Sequence, residues 1–275
     1  MTRQQEVTPV WPERLADIDS KVEAIELPER EIDVDQDEEW CEVVVSGERR
    51  RIRFHDYEDL FQVPGLYEEL FYERLGCCSP SYISNLLDSV VREYGESPQE
   101  FRVLDVGAGN GMVGDELSRL GVQSVVGIDI IPAAKEATGR DRPNLYDDFR
   151  VADLSDLAEV EEERLRRADA NCLTTVAALG YGDIPPRAFA KALDLISTPG
   201  WLAFNLKEDF LREQETSGFS RLIRRLNRDG FILTLCYRRY QHRISIAGEP
   251  LYYVAVIAKK LKDLDGELID SLGSV

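Results

Sequence analysis

Histidine and cysteine are sparse in this chain. There are two histidines, His55 and His242, and five cysteines, Cys41, Cys77, Cys78, Cys172 and Cys236, with no CxxC spacing among them. An odd cysteine count without paired spacing argues against a disulfide framework, and so few soft ligands argue against a structural zinc site. The cysteines are expected to be reduced and mostly buried, behaving as small hydrophobes. Long apolar runs are also missing. No stretch of about 18 uninterrupted apolar residues occurs, and the amino terminus, MTRQQEVTPVWPER, has no apolar signal region. A cytoplasmic protein that does not engage the membrane is expected.

Positive charge is in short supply. The net charge is -19, and 15 acids against 6 bases fall within the first 50 residues. Such a surface repels phosphate backbones, so no nucleic-acid partner is expected.

What is present sorts into four stretches. Residues 1–40, rich in carboxylates and interrupted by proline, read as an acidic, partly disordered arm. Residues 41–95 read as a hairpin, WCEVVV and RRRIRFH around a Gly-containing turn, followed by two helices. The first runs from Asp56 to a break at Gly76 on the spacing of Leu60, Phe61, Leu66, Tyr67, Leu70, Phe71 and Leu75. The second, capped by Ser79 and started by Pro80, ends at Gly95. Residues 96–260 alternate strand and helix: RVLDV, helix 112–120, SVVGID, a short helix from Pro132, DFRVAD, NCLTTV, helix 186–196, WLAFNL and helix 217–228. That rhythm predicts an α/β, Rossmann-like, doubly wound and mostly parallel sheet of about seven strands. FILTLCYRRYQHRIS and LYYVAVIAKK, joined by AGEP without a helix, should add an antiparallel last strand. The N-terminal helices are expected to form a cap over the ligand crevice, with Cys77-Cys78 beside it, and residues 261–275 a loose tail.

The strongest chemical signal is Arg102-Val-Leu-Asp105-Val-Gly107-Ala108-Gly109-Asn-Gly111, a buried strand entering a glycine-dense turn ahead of a helix. Backbone must approach a ligand closely there. Gly109, Gly111 and Gly114 also satisfy GxGxxG, so an NAD-linked oxidoreductase has to be weighed. Asp105 argues otherwise: a carboxylate at the mouth of the turn would repel a pyrophosphate. It would favour S-adenosylmethionine, which carries a sulfonium and an ammonium against one carboxylate, and the turn's amides could still receive that carboxylate. Gly114 is left inside the helix to ease packing. Val125-Val126-Gly127-Ile128-Asp129 ends a second strand in an acid able to accept both ribose hydroxyls. Phe149-Arg150-Val151-Ala152-Asp153-Leu154 offers an acid for an adenine amino group, or equally a helix cap.

On these residues the sequence resembles the class I S-adenosylmethionine-dependent methyltransferases, over roughly residues 79 to 260. The resemblance implies that Asp105, Gly107, Ala108 and Gly109 hold the methionine end of the donor, Asp129 and Ile130 the ribose, and Asp153 and Leu154 the adenine. It leaves the acceptor open. The Asn-Pro-Pro-aromatic tetrapeptide of amide and nucleobase-amine methylases is absent, Asn171 stands where an Asp often begins strand four, and neither a paired-glutamate loop nor a clustered basic surface is seen. A small-molecule acceptor remains by elimination.

The loop after strand four faces the crevice and contributes the candidate catalytic residues Tyr181 and Asp183, the latter as a base if the acceptor is protonated, or else as a turn or N-cap acid ahead of the Pro185-Pro186 helix start. His55, Tyr57, Tyr67 and Tyr72 could add aromatic faces for the sulfonium, although core packing is the better reading of the tyrosines. A methyltransferase-like binding module without turnover is the alternative from another functional class.

Overall fold

The computed structural model describes residues 21–29, 34–179, 183–211 and 218–272, and the chain divides into two compact units. The first consists of the described residues up to Cys78 together with His242–Leu251. Its sheet has the antiparallel order β1 (Val22–Glu26), β2 (Trp40–Val45), β3 (Glu48–Arg53). The β2–β3 hairpin turns through Ser46 and Gly47, both at positive φ, as a two-residue connection between twisted strands requires.

Strand β1 shows that part of the acidic, partly disordered arm expected over residues 1–40 is ordered. Ile25 is buried, Glu23 accepts the Gly47 amide at 3.0 Å, and Glu26 accepts Arg49 at 2.8 Å. Local composition reads these acids as a solvated tail, whereas Arg49 on β3 counters the charge of Glu26. Residues 1–20 and 30–33 of the arm lie outside the described residues.

The long helix expected from Asp56 to Gly76 is broken. Helix α1 covers Tyr57–Gln62, a helical turn covers Leu66–Glu68, and a π-helical stretch covers Glu69–Arg74. Pro64 lacks an amide hydrogen and Gly65 sits at φ 79°, so the chain redirects there. The apolar spacing persists because each piece buries its own share: Leu60, Leu66, Leu70 and Leu75 are inaccessible. Tyr67 packs on Phe61, Phe71 and Tyr72, which bears out core packing for these tyrosines. A buried ion pair, Glu39 with Arg243, stands beside them; Glu39 also accepts the Ile246 amide at 2.7 Å.

The second unit holds Ser79–Gln241 and the described residues from Tyr252 onward. Its seven-stranded sheet has the order β6-β5-β4-β7-β8-β10-β9. These are β4 Arg102–Val106, β5 Ser124–Asp129, β6 Asp148–Val151, β7 Cys172–Thr175, β8 Gly200–Lys207, β9 Ile232–Ile244 and β10 Pro250–Lys260. Strands β4 to β8 pair in parallel, and β10 runs antiparallel to β8 from Tyr253 opposite Lys207 to Lys260 opposite Gly200. The helices are α2 Ser79–Glu93, α3 Met112–Leu120, α4 Pro132–Asp141, α5 Glu159–Arg167, α6 Pro186–Leu195, α7 Phe219–Arg228 and α8 Gly266–Ser271. Leu104, Val106, Leu173, Phe189, Phe204 and Val256 belong to its core.

Two helices were not anticipated. Helix α5, EVEEERLRR, buries only Leu165, so its pattern is too polar to register; its support is ionic, as in Arg166 with Glu162. Helix α8 corrects the loose tail: Asp265 caps the Leu268 amide at 2.7 Å and Leu268 is fully buried. No helix among the described residues is long and apolar enough to cross a membrane.

Candidate active site at the carboxyl edge of the sheet

The chain leaves β4 for β5 and β6 on one side and returns to β7 on the other, so the carboxyl ends of β4 and β7 mark the point where the winding reverses. In sheets of this kind ligands bind there. Backbone geometry at the turn is demanding: Gly107, Gly109 and Gly111 all have positive φ, and a Cβ on Gly107 would come within 2.6 Å of the Ala178 side chain.

The turn is clamped from inside. The amides of Gly107 and Ala108 donate to the Ile128 carbonyl at 2.9 and 3.2 Å, and that of Gly111 to the Ala108 carbonyl at 3.0 Å. The Gly109 amide donates to Asp129 Oδ2 at 2.8 Å. Thr138 donates to the Gly109 carbonyl and Arg142 to the Asn110 carbonyl. This corrects the expectation that the turn amides receive a ligand carboxylate, because those of Gly107, Ala108, Gly109 and Gly111 are already committed.

Asp105 also differs from expectation. Instead of standing open at the mouth of the turn it is 1% exposed, with Oδ1 accepting Thr174 Oγ1 and Oδ2 accepting the Tyr146 hydroxyl, each at 2.7 Å. Burial pushes its carboxyl up to about 6; the two hydroxyl hydrogen bonds oppose this and the charge of Asp129 adds to it. Tyr146 fits beside it because two positions lack a side chain: a Cβ on Gly114 would come within 2.7 Å of the ring, and one on Gly127 within 3.1 Å. The packing role expected for Gly114 thus has a specific object.

Asp129 is held at the end of β5 by the amides of Gly109 and Ile131, the latter at 2.9 Å. Burial raises its carboxyl, and the charge of Asp183 raises it further. The fold therefore brings Asp183 towards Asp129, 54 positions earlier in the chain. Asp183 lies in a turn before α6 and makes no cap to it, since Pro185 occupies the cap position and no side chain bonds there. Tyr181 lies outside the described residues.

Next to Asp129, Ile130 is 55% exposed, and Val151 at the end of β6 is 41% exposed. These apolar side chains are presented to solvent at two adjacent strand ends. Asp153 takes up the cap role, accepting the Ser155 amide at 2.7 Å, and Leu154 is buried in the core.

At the end of β7, Thr175 is fully buried and its hydroxyl has no hydrogen-bond partner among the described residues. Ala177, at φ 56°, donates its amide to Asn205 at 2.6 Å, and Asn205 donates to the hydroxyls of Tyr240 and Ser79 at 2.6 and 3.3 Å. Asn171 takes a structural role, accepting the Arg102 amide at 2.8 Å where β4 begins. Sequence reasoning missed Tyr146, Thr174 and Asn205. No motif marks them, and the one local hint was a pair of glycines, Gly114 and Gly127, at packing positions.

A family model described as a methyltransferase domain matches residues 81–228, just over half of the chain. The chain belongs to the methyltransferase domain family. The matched span runs from α2 through α7 and contains the clamped turn and both buried acids. Among solved structures, magnesium protoporphyrin IX methyltransferase from Synechocystis PCC 6803 is 16% identical, with 66% of this chain and 79% of that one covered and a TM-score of 0.45. Ribosomal protein L11 methylase from Lactobacillus delbrueckii subsp. bulgaricus is 15% identical, with 66% and 79% covered and a TM-score of 0.43. An S-adenosylmethionine-dependent methyltransferase from Clostridium acetobutylicum is 11% identical, with 72% and 97% covered and a TM-score of 0.49. No curated protein matches the sequence.

Proposed function

We propose that this methyltransferase uses S-adenosylmethionine and delivers the methyl group to a small-molecule acceptor. The observation that carries the reading is the pair of buried acids beneath the glycine turn, Asp105 and Asp129, which no lysine or arginine neutralises among the described residues. Uncompensated buried negative charge favours a ligand that brings positive charge. A dinucleotide fits poorly on two counts: its pyrophosphate would meet this negative field, and the amides of Gly107, Ala108, Gly109 and Gly111 have no hydrogen left to give it.

The residues present fit the donor. Asp105 supplies field from below the turn, Asp129 retains acceptor capacity for ribose hydroxyls beyond its two amide bonds, and exposed Ile130 and Val151 offer an apolar face to an adenine ring. When bound, the donor supplies an electrophilic methyl group on sulfur. Asp183, whose charge acts on Asp129, is the proposed base for an acceptor that carries a proton.

The test is titration of the purified chain with S-adenosylhomocysteine and, separately, NADH, followed by a mass-spectrometric acceptor screen. Binding of S-adenosylhomocysteine without NADH, and turnover on at least one small molecule, is expected. NADH binding alone would overturn the donor assignment. Donor binding without turnover on any acceptor, small or macromolecular, would favour a binding module.

A further inference from the structure

We propose that Tyr146 is a positioning residue for the methyl donor, acting through Asp105: its hydroxyl holds the buried carboxylate in the charged state that a cationic donor needs. The inference rests on the donor reading above.

Three observations converge on Tyr146. Its hydroxyl and that of Thr174 donate to opposite oxygens of Asp105, each at 2.7 Å, so the carboxylate is held from β7 on one side and from the segment before β6 on the other. The ring is seated at a notch that exists only because residues 114 and 127 are glycines, one on α3 and one on β5. Asp105 itself is sealed from solvent, so water does not stabilise its charge and the two hydroxyls must. A tyrosine kept solely to fill space would need no donor aimed at a buried acid, and phenylalanine would serve.

The groups that act on Asp105 are few. Asp129 on β5 repels its charge, and Asp183 in turn acts on Asp129. On β7, the Cys172 thiol is pushed up chiefly by burial and further by the charge of Asp105. Burial and the neighbouring charge of Asp105 keep the Tyr146 hydroxyl protonated, against the charge of Arg142 just past α4, which favours its ionisation. No lysine or arginine pairs with Asp105 directly among the described residues, so hydrogen bonding is the main opposition to desolvation. With its carboxyl near 6 in the free protein, a cation binding nearby favours ionisation and releases a proton below that pH. Donor affinity should therefore rise with pH up to about 6 and then level off. Removing the Tyr146 hydroxyl raises the carboxyl further and moves that rise upward.

The experiment is calorimetric titration of S-adenosylmethionine and S-adenosylhomocysteine into wild type, Tyr146→Phe and Thr174→Val between pH 5 and pH 8. Phenylalanine keeps the ring in its notch, and Thr174→Val attacks the same carboxylate from the other strand without touching that notch. The expected result is a rise shifted up by about one pH unit in both variants. Affinity for S-adenosylmethionine at pH 6 should fall several-fold, with recovery towards wild type at pH 8 and a shallower dependence for S-adenosylhomocysteine, which has no sulfonium charge. Wild-type profiles in both variants would overturn the role of Tyr146 and leave it a packing residue. Loss of affinity that is uniform across pH would overturn it equally. Absence of donor binding by the wild type at every pH would instead overturn the donor reading, and this inference with it.

Discussion

Two carboxylates are buried to the same degree in this protein and live in opposite electrostatic settings. Glu39, in the first unit, is locked to the Arg243 guanidinium and the Ile246 amide, and the guanidinium lies over the rings of Phe54 and Phe71. Asp105, in the second, has two hydroxyls and no cation, with a second acid nearby. The first arrangement is complete in itself and holds structure. The second leaves a negative charge that nothing in the described chain balances, and that asymmetry separates a structural acid from one kept for a ligand.

The largest effect expected from breaking this comparison is on the structural side. Glu39→Ala strands a buried guanidinium and should lower unfolding free energy by about 3 to 5 kcal/mol, read from urea denaturation. A loss below about 1 kcal/mol would show that Arg243 reaches water or another acid.

Asp105→Asn should do the reverse to stability while harming binding. In the wild type the folded carboxyl titrates near 6 and the unfolded one near the ordinary value of about 4. Between those pH values the unfolded chain holds fewer protons than the folded one, so the Asp105 contribution falls as pH rises and is level above 6. The size of that fall is on the order of 3 kcal/mol. The Tm of Asp105→Asn relative to wild type should therefore climb from pH 4 to pH 6, while donor affinity at pH 7 drops by about 1 to 3 kcal/mol. A Tm difference that is flat with pH would show that the carboxylate is not desolvated.

Asp129→Ala sharpens the comparison within the site. It removes the acceptor of the Gly109 and Ile131 amides as well as the proposed ribose acceptor, and should weaken donor binding by about 1 to 3 kcal/mol by calorimetry. Unchanged affinity would remove Asp129 from the donor site.

The smallest effect belongs to an acid with neither role. Glu26→Gln severs an exposed pair with Arg49 and should leave Tm unchanged in a thermal melt, as surface pairs contribute little. A marked fall would mean that β1 is held chiefly by this contact.

Much of the second unit was legible from the chain alone. Bounds for Met112–Leu120 and Ser124–Asp129 followed from apolar spacing, and the turn at Gly107 from its glycines. The helix at Glu159–Arg167 was invisible because one buried leucine cannot make a period. The break at Pro64-Gly65 was hidden by apolar residues that kept a helical spacing on both sides of it. At the site, the acids were found but their exposure was misjudged. Sequence shows that a carboxylate ends a strand, not what lies across from it.

The alternation of elements, the glycine turn and the two acids were determined by the sequence itself, since each depends on residues within a few positions of one another. The partners of those acids depended on the sheet order. Tyr146 meets Asp105 across 41 residues and Thr174 meets it across 69, while Arg243 meets Glu39 across 204. Which buried charge is neutralised within the chain and which is left for a ligand is decided only where distant strands come to lie side by side, because only there does a carboxylate lose water and gain, or fail to gain, a cation.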